Sequence, residues 1–176
     1  MSSRLPSRER ALQLLREEHC SKRVIAHCKA VSKLAVETAK ICQKRGLKVD
    51  VGLVEVGALL HDVGRSRTHS VNHVVVGAQI AKDKGLPYSV ISIIKCHVGG
   101  GITGSEAKEL GWPQDNYIPL TLEDKIVSYA DKLVDTSERV PIEMTIQKLR
   151  EEKLFLAAER VQKIYDEITE IIGEKP

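Results

Sequence analysis

Apolar residues recur three and four positions apart along nearly the whole chain, the spacing of amphipathic helices rather than strands. Pro6 and Ser7 open the first such stretch, whose stripe is Ala11, Leu12, Leu14 and Leu15, ending near His19. A longer helix is predicted from Ser21, with Val24, Cys28, Val31, Leu34, Ala35, Ile41 and Cys42 on one face and Gly46 as its stop. His27 falls on that same apolar face. Asp50 caps a third helix running through Val54, Ala58 and Leu59 to the pair His61-Asp62. Ser70 is expected to cap a fourth, carrying His73, Gly77, Ala78, Ile80 and Ala81 and ending at Gly85. Within it Val74-Val75-Val76 is β-branched, the one place where a strand competes. A fifth helix follows Pro87 and reaches His97, where Gly99, Gly100 and Gly101 forbid continuation.

From Val98 to Leu120 the pattern is that of a loop, with a short helix expected at Thr103-x-x-Glu106, a capping-box spacing. Thr121 with Asp124 opens the next helix, which carries Asp131. The last is expected from about Thr145, with Ile146, Leu149, Leu154, Ala158, Val161, Tyr165, Ile168 and Ile172 as its stripe. No internal repeat, low-complexity tract or linker interrupts this series. The expectation is an all-α fold, one domain over residues 1–176, as a bundle of about six to eight helices.

Composition narrows the picture in three ways. Aromatic residues are only 3%, so the core must be aliphatic. A net charge of +3 argues against a protein that binds nucleic acid by neutralising many phosphates. The basic N-terminal stretch from Arg4 to Arg23 is interrupted by Glu9, Glu17 and Glu18, as on a solvated helix face. Cys20, Cys28, Cys42 and Cys96 form no C-x-x-C pair, and no apolar signal segment follows Met1, which points to the cytosol with thiols free. The apolar segment 53–60 contains Glu55 and falls short of the ~18 residues of a membrane span.

The chemistry-bearing residues are far apart in sequence: His27, His61, Asp62, His73, His97 and Asp131. Imidazoles and carboxylates suit Fe, Mn, Co, Ni or Zn rather than Ca. His27, His61, Asp62 and Asp131 are expected to hold a first divalent ion. His73 and His97 are expected to hold a second, with Asp62 bridging. Two ions ~4 Å apart activate water and clamp a phosphoryl group. His19 and His69 are read instead as hydrogen-bonded core residues, although His69 lies four before His73.

These residues carry a resemblance. Ala58-Leu59-Leu60-His61-Asp62-Val63-Gly64-Arg65 resembles the signature of the HD superfamily in its HD-x-G form. His27-Cys28-x-x-Val31-x-x-x-Ala35 is similar to the family's first-histidine helix, and Tyr129-Ala130-Asp131-Lys132 to its closing helix. His73-x-x-x-Gly77-Ala78 and Ile93-Ile94-Lys95-Cys96-His97 resemble the two further ligands of the dinuclear subgroup. The order is like that of the bacterial HD hydrolases that split diadenosine tetraphosphate. The resemblance covers about residues 21–140, leaving a C-terminal packing helix at about 145–172. It implies a helical core around two divalent transition metal ions, and hydrolysis of a phosphate ester or anhydride of a nucleotide or dinucleotide by metal-bound hydroxide. The 34 positions from His97 to Asp131 exceed what that group leads one to expect, so the extra residues around Trp112 are expected to affect the substrate.

Asp62 and Arg65 are the catalytic candidates, Arg65 as a phosphate-holding fork or else as an ordinary surface ion pair. Lys132 is expected to point away from the site, since adjacent helical positions diverge by ~100°. The triple glycine lacks the Lys-Ser/Thr of a phosphate loop and reads as a turn. Cys28 and Cys96 are read as small buried apolar groups, and the C-terminal stripe as packing, with pairing to a second copy left open. Three functions are compatible with this pattern: the nucleotide phosphohydrolase, a mixed-valent di-iron oxygenase of the same ligand order, and a non-catalytic module binding a nucleotide or RNA.

Overall fold

Ser7, Ser21 and Asp50 each accept a hydrogen bond from the backbone amide three residues on, satisfying an orphan donor of a first turn. They start α1 (Arg8–Glu17), α2 (Lys22–Lys44) and α3 (Val51–Leu60) in the computed structural model, which describes residues 4–173. A 3-10 turn at Val63–Ser66 leads to α4 (His73–Asp83), and α5 (Tyr88–Cys96) begins directly after Pro87. Capping boxes at Thr103/Glu106 and Thr121/Asp124 open α6 (Gly104–Glu109) and α7 (Leu122–Lys132), at the positions the sequence marks. Helices dominate, as an all-α fold requires, and the valine run at 74–76 is helical.

Three features depart from expectation. Ser70 does not cap α4; its carbonyl accepts from the His73 backbone amide, and the residue next to the helix, Asn72, makes no side-chain cap. The Asn72 amide oxygen is taken by the Trp112 indole at 2.7 Å. Second, a two-stranded antiparallel hairpin, β1 (Val134–Asp135) and β2 (Glu138–Arg139), follows α7, with Thr136 in its turn at φ 55°. Third, the expected helix at 145–172 is two helices, α8 (Ile142–Glu151) and α9 (Phe155–Ile172). Lys153 adopts φ 61° between them, and the amides of Lys153 and Leu154 close onto Arg150 and Leu149. No glycine announces that break, because a lysine occupies the left-handed position.

The long α2 packs on α3 and α7, and α9 lies against α7 and α8. One aliphatic core joins α2, α3, α7, α8 and α9 around Val31, Ile126, Val161 and Ile168. Another joins α1, α3 and α5 to the start of α2 around Leu15, Cys28, Leu59 and Ile94. The segment 98–120 forms its own small cluster with Trp112, Tyr117 and Val74. It is tied down by Lys95, a buried lysine at the end of α5, which reaches Asp115 at 2.5 Å. All four cysteines are free and buried. Among the described residues no helix is long and apolar enough to cross a membrane.

Candidate metal centre

His27 comes from α2, His61 and Asp62 from the end of α3, His73 from the first turn of α4, His97 from the end of α5, and Asp131 from α7. The structure brings all six together. The step from Asp62 to His73 depends on Gly64. A Cβ there would lie 1.9 Å from the His73 carbonyl oxygen and 2.7 Å from the Gly77 amide nitrogen, so the HD turn can seat against α4 only without a side chain.

Each imidazole is anchored from behind. Nδ1 of His27 donates to the Thr136 carbonyl, that of His61 to Ala58, that of His73 to Ser70 and that of His97 to Ile94, at 2.7 to 3.0 Å. A carbonyl can only accept, so Nδ1 carries the proton and a neutral ring turns its Nε2 lone pair inward. Those four Nε2 atoms meet two carboxylates. His27 and His61 stand 3.0 and 3.3 Å from Asp131 Oδ1. His73 and His97 stand 3.1 and 3.4 Å from Asp62 Oδ1. Asp62 Oδ2 faces the other pair, 3.7 Å from His61 and 3.9 Å from His27. The Nε2 atoms of His73 and His97 are themselves only 3.2 Å apart.

A buried set of lone pairs converging like this is costly unless cations lie among them. His61 Nε2 and Asp62 Oδ1 have no hydrogen-bond partner although fully buried. Two overlapping groups, His27/His61/Asp131 and His61/Asp62/His97, have ligand atoms within 4.8 Å of one another. The donor set fits divalent transition ions, and the second nitrogen of every histidine is braced as in metal sites generally.

The electrostatics agree that positive charge belongs here. Burial opposes ionisation of Asp62, but the charge of His61 and the close imidazoles of His73 and His97 hold its pKa well below the ordinary carboxylate value. Burial likewise opposes ionisation of Asp131, and Lys132, His27 and His61 outweigh it. Burial disfavours a charged His61, yet the carboxylates of Asp62 and Asp131 beside it lift its pKa well above the usual histidine value. His97 goes the other way, to about 4, because burial outweighs the bond to Asp62.

Two cations complete the centre. Arg65 Nε donates to Asp62 Oδ2 at 2.7 Å, and its Nη1 reaches the His69 carbonyl at 3.3 Å. Its ion pair is therefore with a carboxylate of the cluster and not with an unrelated surface acid. Lys132 Nζ lies 2.5 Å from Asp131 Oδ2. This corrects the expectation that Lys132 points away: helical geometry fixes the direction of Cβ, whereas a four-carbon stem curls back. His19 and His69 are exposed, not core residues. His69 lines the rim of a cavity of about 1000 Å³ that opens onto the cluster. The Thr136 carbonyl that aims His27, from the unexpected hairpin, left no mark in the sequence.

The HD domain family matches residues 24–134, and the chain belongs to it. An uncharacterized protein of Methanocaldococcus jannaschii is 43% identical over 166 residues, covering 93% of this chain and 98% of its own length. The tRNA (cytidine(56)-2'-O)-methyltransferase of Thermoplasma volcanium is 38% identical over 170 residues, covering 97% of this chain. This chain spans about half of that protein, 49% of its length. Ribonuclease Y of Acidothermus cellulolyticus is 29% identical over 143 residues, 77% of this chain and 26% of its own. Among solved structures, the HD domain of L. monocytogenes phosphodiesterase PgpH, in complex with cyclic-di-AMP, aligns with a TM-score of 0.56 at 17% identity. The alignment covers 95% of this chain and 99% of that one, a likeness of fold.

Proposed function

We propose that this chain is a dinuclear metal-dependent phosphohydrolase acting on a phosphate ester or anhydride of a nucleotide or dinucleotide. One observation carries the reading. Asp62 divides its two carboxylate oxygens between two pairs of histidines, His27/His61 and His73/His97. That is the disposition a bridging ligand needs, with Asp131 completing the first set. Divalent ions bound there would supply Lewis-acid activation of water and neutralisation of phosphate charge.

The chain's own residues do the rest. The Nδ1 bonds to backbone carbonyls hold four imidazoles in one tautomer, so the site is organised before substrate arrives. Arg65 is about a third exposed on its side chain and borders the cavity, so its remaining N–H groups face an incoming phosphate while Nε holds Asp62. Lys132 adds a second positive charge on the Asp131 side. His61, Asp62, His73 and His97 are buried, and the cavity gives access to the cluster. Names among the relatives favour phosphorus chemistry on nucleotides or RNA over the di-iron oxygenase reading: a ribonuclease, and a phosphodiesterase domain solved with a cyclic dinucleotide. The half-length match to a tRNA methyltransferase favours the second reading, an accessory module that binds RNA without turnover.

The test joins metal analysis to phosphate release. Wild-type protein should carry two ions per chain and hydrolyse at least one of a panel including AMP, ADP, ATP, diadenosine tetraphosphate and a cyclic dinucleotide, without consuming oxygen. Asp62→Ala should lose both ions and all turnover. One ion per metal-replete chain with His73 and His97 unliganded would sink the dinuclear reading. Two ions, with binding but no turnover across the panel, would leave the accessory module.

A further inference from the structure

The lining of the cavity extends well past the cluster. There it is walled by α8, α9 and the 98–110 stretch; of these, the two helices lie beyond residue 134, where the family match ends. α8 is two-faced. Ile142 and Ile146 go into the core, while Met144, Thr145, Lys148 and Glu152 line the cavity in one row at helical spacing.

Two properties of this wall call for an occupant. Met144, Leu154 and Leu110 are 55%, 48% and 42% exposed and all border the cavity, apolar surface that a soluble protein keeps open chiefly where something covers it. Charge is the second. Arg65 and Lys132 are engaged by Asp62 and Asp131, and Arg160 by Glu106 and the Gly99 carbonyl. Lys148 is exposed and, among the described residues, makes no ion pair, which leaves it as the cation free to take an anion. Glu109, Asp135 and Glu152 also line the cavity, so a polyanion laid along its length would meet carboxylates. About 1000 Å³ is at the top of the ~300–1,000 Å³ that small-molecule sites span, far more than one phosphate fills.

We infer that the α8–α9 wall is a specificity subsite that selects small organic phosphates bearing a second anionic group, which Lys148 holds beside an aliphatic bed of Met144, Leu154 and Leu110. Among the described residues no Phe, Tyr or Trp lines the cavity, so the organic part is covered by aliphatic side chains rather than stacked on a phenyl, phenol or indole ring. This rests on the phosphohydrolase reading and names the substrate class for it. The subsite accommodates a compact substrate with two anionic groups; a long nucleic acid strand does not fit its charges.

The experiment uses metal-loaded protein and compares ADP with p-nitrophenyl phosphate, which has a single anionic group. Lys148→Glu should lower the ratio of kcat/KM for ADP to that for p-nitrophenyl phosphate by about tenfold, through KM, the scale of one lost charge-assisted contact. Lys148→Arg should restore most of it. Calorimetric binding of ADP, which needs no turnover, should weaken by a similar factor in Lys148→Glu. A ratio unchanged within about twofold, or ADP affinity that is unchanged or undetectable in wild type, overturns the subsite. If wild type turns over neither compound nor any other member of the nucleotide panel, yet binds ADP through Lys148, the phosphohydrolase reading fails and the subsite stands.

Discussion

Asp62 and Arg65 are best understood as a unit. The guanidinium fixes one oxygen of the carboxylate that faces both histidine pairs, at 2.7 Å. Losing it therefore touches metal affinity as well as substrate charge. Arg65→Ala should weaken metal binding by about 10- to 100-fold, the usual effect of removing a partner of a ligand. At saturating metal it should still lower kcat/KM by about 100-fold. Arg65→Lys should recover only part, because a point charge cannot hold Asp62 and a phosphate in one plane. Metal titrations followed by kinetics at fixed occupancy separate the two losses, and unchanged values in both would return Arg65 to a passive ion pair. The six clustered residues stood out in the sequence because histidines and aspartates on otherwise apolar stripes need a reason to be buried. Lys132 and Lys148 were not. Surface lysines follow no pattern, and only the fold shows that one curls onto Asp131 while another lines the cavity.

Among the elements, the helices with side-chain caps were readable to within a few residues, since Ser7, Ser21, Asp50, Thr103 and Thr121 act locally. The break between α8 and α9 was not readable, because Lys153 carries a left-handed backbone that the sequence gives no glycine to mark. That break is what lets α8 turn a face to the cavity. It also makes a prediction. A non-glycine residue in this conformation costs roughly 1–2 kcal/mol, part of which glycine returns as unfolded-state entropy. Lys153→Gly should therefore stabilise the protein by about 0.5–1 kcal/mol, seen as a rise of a few degrees in Tm. An unchanged or lower Tm would mean that tertiary contacts, not the turn, dictate the break.

For the whole molecule, the clustered side chains come from α2, α3, α4, α5 and α7, so ions held among them would fasten most of the bundle. Ions that bind only the folded chain add stability by mass action, about 2.7 kcal/mol at a hundredfold excess over Kd. Stripping with a chelator should lower Tm, and equal melting of stripped and loaded samples would count against a metal at His27. The separation of these ligands along the chain has a temporal consequence. His27 and Asp131 meet across 104 residues, so the loop between them closes late and no ion-binding pocket exists while the helices are still docking. Interactions absent from the folding transition state alter the rate of escape from the native state and leave the rate of arrival alone. In stopped-flow experiments the loaded protein should unfold more slowly than the stripped one, while both refold at similar speed. Refolding that accelerates with metal concentration would instead place the assembled ligands in the nucleus.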